Sequence, residues 1–374
     1  MRELWKEWCT DPRADIDSVC IAADCRPGVI GPYVLAIYRG AKPECLLVGH
    51  LEQRCLEQKL GYAVLKRREV RALCFARRGL LGTASVDNCR LLVAAISEFL
   101  AAGGAVCAIF SDLRADSPLR ASLKREPGML FRQNYLATQR HNALEFPATY
   151  ADFFAGLSRK DRHELRRHER MLQRDFPNEV RVECVREEEK VDYLLEVVDQ
   201  VARKTYQRAL GTGFERTAEI ERQYRTAART GALRACVLYI RERPCAFFLG
   251  RQYKSTFFAE YTGYDPEYGR YSPGMFLLLY CVRKSFELAT GAVRFDLGSG
   301  DHLYKRVVCN VGWDEGTAYL YAPNWQGFLL NAQVTATELA NAVLRKMAKR
   351  NGFLKKARKE WQQRAVRSCE CGGD

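Results

Sequence analysis

Two runs of sequence decide the fold: EYTGYDPEYGRYSPGMFLLL at residues 260–279 and RFDLGSGDHLYKR at residues 294–306. A β-rich segment ends near Tyr264, a short polar loop follows, and Pro273 and Gly274 open a strongly apolar helix. Proline suits a first helical turn because its missing N–H is not needed there. Glycine lets a ligand approach the backbone closely. The second run begins as a buried strand, so the order is strand, loop, helix, strand.

The rest of the chain repeats this alternation of strand and helix patterns. Its second half reads helix, helix, strand, strand, strand, helix, strand, and its first half shows a shorter version of the same order. The predicted segments are Tyr33–Tyr38, Cys45–Val48, Arg71–Ala76, a helix capped by Asp87 or Asn88 and running to about Ala102, Val106–Phe110, Arg181–Val185, Glu188 to about Ala209, Glu219–Thr230, Ala235–Arg241, Cys245–Leu249, Phe257–Tyr264, Gly274–Ala289 and Val293–Leu297. This order predicts an α/β (α+β) fold of two similar units in tandem, each with a mixed, mostly antiparallel sheet flanked by helices.

Composition bounds the class of protein. The chain has 374 residues, with 59 Lys and Arg against 45 Asp and Glu, a formal net charge of +14. An apolar content of 47 % excludes a wholly disordered chain, which buries too little apolar surface to offset its ordering entropy. The positive charge favours an anionic partner: nucleic acid, a phosphate-bearing cosubstrate or a membrane surface. We place the units at residues 1–147 and 148–328, followed by a basic helical tail at 329–374.

The 15 cysteines include no Cys-x-x-Cys pair, and many stand in apolar runs. This usage indicates that most of them are reduced core residues of a cytoplasmic protein, and without ligand spacing it argues against a structural zinc site. The N-terminus has no apolar signal-peptide region, and no uncharged apolar run reaches the ~18 residues of a transmembrane segment.

The loop before the apolar helix is a candidate anion site. Free N–H groups of Gly274, Met275 and Phe276, together with the helix dipole, would suit a phosphate. Arg270 could add a charge-assisted hydrogen bond. On pattern alone, an ordinary strand-to-helix turn fits these residues equally well.

As an ordered set, these motifs resemble a known family. Arg270-Tyr-Ser-Pro-Gly with its apolar helix, Phe295-Asp-Leu-Gly-Ser-Gly-Asp and Tyr304-Lys-Arg are similar to the CelD-type branch (BioF-like acetyltransferase domain) of the GNAT acyltransferases. The basic helix that begins at Leu157 also matches that branch, so the resemblance covers roughly residues 150–325. It implies two GNAT-like units, and in the second a sheet splayed between two parallel strands that admits the pantetheine arm of an acyl-CoA.

The resemblance also implies a cosubstrate site. Acyl-CoA, with acetyl-CoA first among its forms, would lie with its pyrophosphate at the loop before the helix, and no metal is implied. The residues assigned to this cosubstrate are Arg270, Ser272, Gly274, Met275 and Phe276. The usual loop of the family has glycine where this chain has Pro273.

Acyl transfer to an amine needs a base, stabilisation of an oxyanion and an acid for the leaving thiolate. Glu260, late on a strand at the predicted split, is the first candidate base, although a surface carboxylate is an equal reading. Asp296, on a buried strand, needs a partner; it could act as base, bind substrate, or only pair with Arg294 or Lys305.

The segment after Gly300 supplies the remaining candidates. Lys305 could hold an anionic substrate or the acyl carbonyl, and Tyr304 could be the acid. Asp301 and His302 are assigned to the substrate, although a lone loop histidine is more often a solvated side chain. No cysteine has a visible histidine partner, so no covalent nucleophile is predicted.

The tail holds ten Lys or Arg from Arg345 to Arg367, against Glu338, Glu360, Glu370 and Asp374. A docked helix with a solvated end, contact with a membrane surface and contact with RNA all fit this composition.

The leading hypothesis is an N-acyltransferase that uses acyl-CoA directly in a ternary complex, with a sugar amine or another small amine as acceptor. The alternatives are aminoacyl transfer from charged tRNA, as in the related FemAB-type proteins built from two such units, and a non-catalytic basic adaptor with the same fold.

Overall fold

A computed structural model describes residues 1–350 apart from 62, 127, 134–136, 206–207, 209–212, 288–290 and 301. The described chain folds into two compact units. Unit 1 comprises residues 1–140 and 313–350, and unit 2 comprises residues 141–312. The boundaries 1–147, 148–328 and 329–374 stay a prediction beside this division, in which the chain returns to unit 1 at Trp313.

Unit 1 contains five strands and five helices among its described residues. Its sheet has the order β1-β2-β3-β4-β11, in which only β3 and β4 run parallel. The strands are β1 (Val29–Arg39), β2 (Lys42–Leu60), β3 (Ala63–Gly82), β4 (Cys107–Arg114) and β11 (Val311–Tyr321), and the helices are α1 (Arg2–Trp8), α2 (Ile16–Cys25), α3 (Val86–Ala101), α4 (Pro118–Arg125) and α11 (Trp325–Arg350).

Unit 2 has the same plan around a sheet of order β5-β10-β9-β8-β7-β6, in which only β9 and β10 run parallel. Its strands are β5 (Gln139–Glu145), β6 (Val180–Val185), β7 (Leu233–Ile240), β8 (Arg243–Tyr253), β9 (Thr256–Tyr264) and β10 (Arg294–Ser299). Its helices are α5 (Tyr150–Gly156), α6 (Arg159–Asp175), α7 (Val191–Arg203), α8 (Ala218–Arg229), α9 (Pro273–Glu287) and α10 (Leu303–Val308).

In both units one helix connects the two parallel strands, since α3 follows β3 and α9 follows β9. Parallel neighbours need such a crossover, whereas antiparallel neighbours need only a hairpin. The structure therefore confirms the predicted fold class of two tandem units, each with a mixed, mostly antiparallel sheet and flanking helices.

Two apolar cores cover the two faces of the unit 2 sheet. On one face, Leu277, Leu278 and Val282 of α9 pack against Phe248 and Phe295 of the strands. The opposite face carries a second core built from α7 and α8, with residues such as Leu194, Tyr224 and Phe247. Because successive side chains of a strand point to opposite faces, this sandwich fixes which residues of β9 and β10 meet each helix layer.

The structure corrects two sequence-based expectations. The helix predicted over Glu188–Ala209 is shorter, since α7 ends at Arg203. Strands β2 and β3 are 19 and 20 residues long, well beyond the predicted Cys45–Val48 and Arg71–Ala76. Most described cysteines are free, as the sequence indicated, and Cys184 and Cys236, directly opposed on β6 and β7, form a disulfide.

Candidate functional site

The two parallel strands of unit 2 separate partway along their length. Their pairing covers only three positions and ends where Asp296 faces Phe258. Beyond that point β9 continues to Tyr264 beside β8, and β10 continues to Ser299 beside β5. The sheet of unit 2 therefore has the split that the resemblance implies, and Asp296 stands at its apex.

A β-bulge shapes β10 just after the apex. Asp296 faces Ala143 of β5, and Ser299 faces His141, so two residues of β10 oppose one residue of β5. Gly298 takes a φ of +72° in this bulge, a backbone conformation that favours glycine. The sharp turn lets the N–H of Gly298 donate to Oδ1 of Asp296 at 2.9 Å.

Asp296 forms its closest described contact with a histidine that the sequence analysis did not single out. Nε2 of His141 lies 2.7 Å from Oδ1 of Asp296, and both residues are buried, with exposures of 0 % and 1 %. Arg294, one of the two partners that the sequence suggested, donates to Glu145 at 2.6 Å. The result is a buried carboxylate–imidazole pair at the apex of the split.

Lys305 fixes the loop that follows β10. Its ammonium donates to the carbonyl oxygens of Gly298 at 3.1 Å and Ser299 at 2.6 Å. Nδ2 of Asn142 donates to the carbonyl of Gly300 at 3.0 Å, so three successive carbonyls of this loop are bound. Lys305 is 4 % exposed and holds this loop, and its contact with an anionic substrate or the acyl carbonyl stays a prediction.

Cys309 lies close to this cluster. Burial raises the pKa of its thiol to about 12, with Lys305 opposing and Asp296 adding to the shift. The thiol is therefore protonated near neutral pH, in keeping with the absence of a predicted covalent nucleophile.

Glu260 stands on β9 at a bulge against β8, beyond the apex of the split. Its carboxylate accepts hydrogen bonds from Arg251 at 2.6 Å and from the hydroxyl of Tyr224 at 3.0 Å. The side chains of Arg251 and Glu260 are 7 % and 9 % exposed. Burial, with Glu260 nearby, raises the pKa of Tyr224 well above its ordinary value. Glu260 is thus one member of a buried ionic network.

The loop before α9, where the sequence predicts an anion site, differs from that prediction in its backbone hydrogen bonds. Ser272 adopts a left-handed conformation with φ +52°, which turns a 3-10 helix over Pro266–Tyr271 directly into α9. The N–H groups of Met275 and Phe276 donate to the carbonyl of Ser272 at 3.0 and 3.1 Å. Two of the three donors expected to be free for an anion are therefore bound to the chain itself, which corrects that expectation.

Arg270 lies beside this loop. Its guanidinium donates to Asp175 at 3.2 Å and stacks over the ring of Tyr271 at 4.5 Å. The hydroxyl of Tyr271 also donates to Asp175, so the end of α6 is attached to the start of α9. A side chain on Gly274 would stand 3.3 Å from the ring of Tyr264, which makes this part of the loop close-packed.

A small pocket of about 70 Å³ lies between α5, α6 and the first turns of α9. Among the residues around it are Ser272, Met275 and Phe276, three of the five residues assigned to acyl-CoA. Arg166 of α6 and Arg283 of α9 add positive charge to its wall. Burial, with Arg167 nearby, lowers the pKa of His168 in the same wall, so this imidazole is neutral at physiological pH.

The remaining candidates follow β10. The ring of His302 stacks on that of Tyr304 with centroids 5.8 Å apart, and both residues are partly exposed. Asp301 lies outside the described residues. Within the described ranges, no group of three or more His, Cys, Asp or Glu side chains is arranged to hold a metal ion. Likewise, no helix in the described part of the chain is both long and apolar enough to cross a membrane.

Sequence reasoning thus identified Asp296 and Lys305 but missed His141 and Asn142. The signal that pointed to a partner was the buried carboxylate itself, which requires a hydrogen-bond donor. His141 is 155 residues away from Asp296, so no local pattern could single it out among five histidines.

Comparisons with known proteins support the fold and one domain. Residues 159–306 match the family described as acetyltransferase (GNAT) domain. This region, which is less than half of the chain, is similar to that domain, and it contains α6, the loop before α9, the split and Lys305.

Among solved structures, the chain is similar to FemX, at 11 % identity and a TM-score of 0.58, covering 86 % of this chain and 94 % of that one. It is also similar to a conserved protein of unknown function from Bacteroides thetaiotaomicron VPI-5482, at 10 % identity and a TM-score of 0.50, covering 85 % and 95 %. At these identities the likeness extends to the fold alone. No curated protein sequence matches the chain.

Proposed function

We propose that the protein is an N-acyltransferase that transfers an acetyl or longer acyl group from acyl-CoA directly to an amine. The observation that carries this proposal is the split between β9 and β10, since their pairing stops at Asp296 and Phe258 while both strands continue. A split between parallel strands offers unpaired peptide groups on both sides. The pantetheine arm, which contains two amide groups, can pair with them as an added strand would.

The donor would enter from the N-terminal end of α9. The pocket bounded by Ser272, Met275 and Phe276 carries Arg166 and Arg283 in its wall, which suits the pyrophosphate of a CoA ester. The N–H groups of Met275 and Phe276 already donate to the carbonyl of Ser272. We therefore expect the two arginine side chains to contribute more to anion binding than the backbone does. Arg270 would join them only after leaving Asp175.

The proposed proton acceptor is the pair of Asp296 and His141. A carboxylate hydrogen-bonded to an imidazole orients the ring for proton transfer. In the proposed reaction the amine loses its proton to this pair before attack, directly or through one water. Lys305 is assigned as a positioning residue that holds the Gly298–Gly300 loop.

Tyr304 is the proposed acid for the leaving thiolate, and His302, stacked on it, together with Asp301 is assigned to the acceptor. The resemblance to the CelD-type branch favours a sugar amine or another small amine as acceptor. A cytoplasmic location belongs to the proposal, since most described cysteines are free.

The direct test is release of the CoA thiol from acetyl-CoA and longer acyl-CoAs, in the presence of a panel of amino sugars and small amines. Direct transfer in a ternary complex predicts thiol release only when donor and amine are both present, with an acylated amine visible by mass spectrometry. Absence of transfer from every donor to every amine, with protein that remains folded, would refute the proposal.

A second candidate is aminoacyl transfer from charged tRNA, which one feature of unit 2 favours. Helix α6 exposes Arg159, Lys160, Arg166, Arg167 and Arg170 along its length. Such a row of cations binds a phosphate backbone with an affinity that falls steeply with salt. Filter binding of charged tRNA at increasing salt tests this candidate, and absent or salt-insensitive binding would remove it.

A further inference from the structure

Helix α11 (Trp325–Arg350) presents an apolar face to solvent. Trp325, Phe328, Leu329, Leu339 and Val343 are between 37 % and 68 % exposed. Ala332 and Ala336, also exposed, stand between them. At 100° per residue, these seven positions fall within about 100° of the helix circumference and form one stripe roughly 27 Å long. We call this set the α11 stripe.

The opposite side of α11 is firmly docked within unit 1. Leu330 and Val334 pack into a core with residues of β3, β4 and β11. Nδ2 of Asn331 donates to the carbonyl of Leu130 at 2.9 Å, and Nδ2 of Asn341 donates to the carbonyl of Lys59 at 2.7 Å. These contacts fix the rotation of the helix, so the outward position of the α11 stripe is set by the fold.

An exposed apolar face of this extent on a helix calls for a partner, because isolated apolar residues are common at surfaces but contiguous stripes are not. The sequence after the stripe indicates which one. Between Arg345 and Arg367 there are ten Lys or Arg and a single acid, Glu360. Apolar residues along one helix face followed by clustered cations complement a lipid surface that carries negative charge.

We propose that α11 docks the protein on an anionic membrane surface, with the helix lying in the interface plane and the α11 stripe facing the acyl chains. Trp325, at the start of the stripe, is a residue type that favours the interface. We favour the lipid surface over a second copy of the chain, because the ten cations after the stripe complement anionic headgroups and find no such complement in another copy of the same basic segment. The inference does not depend on the proposed acyl transfer, since its test measures binding alone.

The test is flotation of the full chain with vesicles of phosphatidylcholine containing about 30 % phosphatidylglycerol, compared with phosphatidylcholine alone. We expect binding to the anionic vesicles, a blue shift of tryptophan fluorescence that the Trp325→Phe variant lacks, and roughly tenfold weaker binding for Phe328→Gln/Leu339→Gln. Leu65→Gln/Val293→Gln is the matched control, because both residues are 61 % exposed and lie outside the stripe. It should bind as the unaltered protein does.

Three outcomes would overturn the proposal. In the first, the unaltered protein fails to bind anionic vesicles. In the second, Phe328→Gln/Leu339→Gln binds them as the unaltered protein does, which would assign binding to the basic segment alone. In the third, light scattering shows a dimer that this variant converts to a monomer, which would make the stripe an interface between copies. Circular dichroism of the variant establishes that it is folded before binding is measured.

Discussion

At the scale of single residues, the proposed chemistry rests on the contact between Asp296 and His141. We expect Asp296→Asn and His141→Gln each to lower kcat by about 10²–10⁴-fold, since each removes a group that accepts or stabilises the amine proton. KM for acyl-CoA should change little, because the proposed donor site lies at α9. Steady-state thiol release measures both constants.

Glu145→Gln is the matched control for this pair. Its carboxylate also lies on the β5–β10 pair of strands, but it is 50 % exposed and bonded to Arg294. An exposed ion pair contributes only about 0–1 kcal/mol, so kcat should stay at its original value. An Asp296→Asn variant as active as this control would remove the pair from the mechanism.

For Glu260 we expect a loss of stability rather than a loss of kcat. Its substitution by glutamine leaves the buried Arg251 guanidinium without its carboxylate, and breaking a buried ion pair costs roughly 3–5 kcal/mol. We therefore expect Glu260→Gln to lower the free energy of unfolding in urea, and to affect kcat only through lost folded protein. Full stability combined with a large loss of kcat would instead identify Glu260 as the base.

At this scale the sequence singles out residues that share one motif, and it does not indicate contacts made across the fold. Asp296 and Lys305 stand in one motif, and the need of a buried carboxylate for a partner could be foreseen. The partner itself comes from β5, and the register between β5 and β10 cannot be predicted from the sequence of either strand. The bound N–H groups of Met275 and Phe276 depend on the left-handed Ser272, which no sequence rule predicts for serine.

At the scale of elements, the start of α9 depends on Ser272. A left-handed conformation costs a residue with a side chain about 1–2 kcal/mol, and glycine avoids that cost but loses more chain entropy on folding. Ser272→Gly should therefore raise the free energy of unfolding by at most about 1 kcal/mol, whereas Ser272→Val should lower it by about 1–2 kcal/mol. Urea titrations that give the reverse order would contradict this geometry.

The disulfide between β6 and β7 yields a second prediction for elements. Cys184 and Cys236 are 52 residues apart, and closing a loop of that length stabilises a fold by about 4 kcal/mol in the chain-entropy treatment. Reduction by dithiothreitol should therefore lower the free energy of unfolding by about 4 kcal/mol. Cys184→Ser/Cys236→Ser should be insensitive to it, and Cys20→Ser, at an exposed free cysteine, should respond as the original protein does. Equal stability with and without reductant would show that the pair is not joined in solution.

Elements with strong periodicity could be predicted, and their lengths could not. The apolar run of α9 and the hairpin of β7 and β8 agree with the sequence pattern. The outer halves of β2 and β3 are rich in charged residues and largely exposed, so they carry no buried alternation from which a strand can be read.

At the scale of the whole molecule, the tandem plan was predictable because the order of elements repeats along the chain. The final strand of unit 1, β11, comes from the chain after unit 2. No local sequence pattern indicates pairing between strands so far apart in the chain. The positive charge of the chain lies in several places. Part of it is on α6 and around the small pocket beside α9, and ten of the cations follow the α11 stripe in sequence.

In the proposed reaction the split in unit 2 receives an acyl-CoA. Isothermal titration of the full chain with acetyl-CoA, followed by longer acyl-CoAs, tests it most directly. We predict saturable binding of one acyl-CoA per chain, retained in Asp296→Asn and weakened by about tenfold or more when Arg166 and Arg283 are both replaced by glutamine, because each loses a charged contact to phosphate. No heat of binding with any acyl-CoA, under conditions where the protein is folded, would contradict the account.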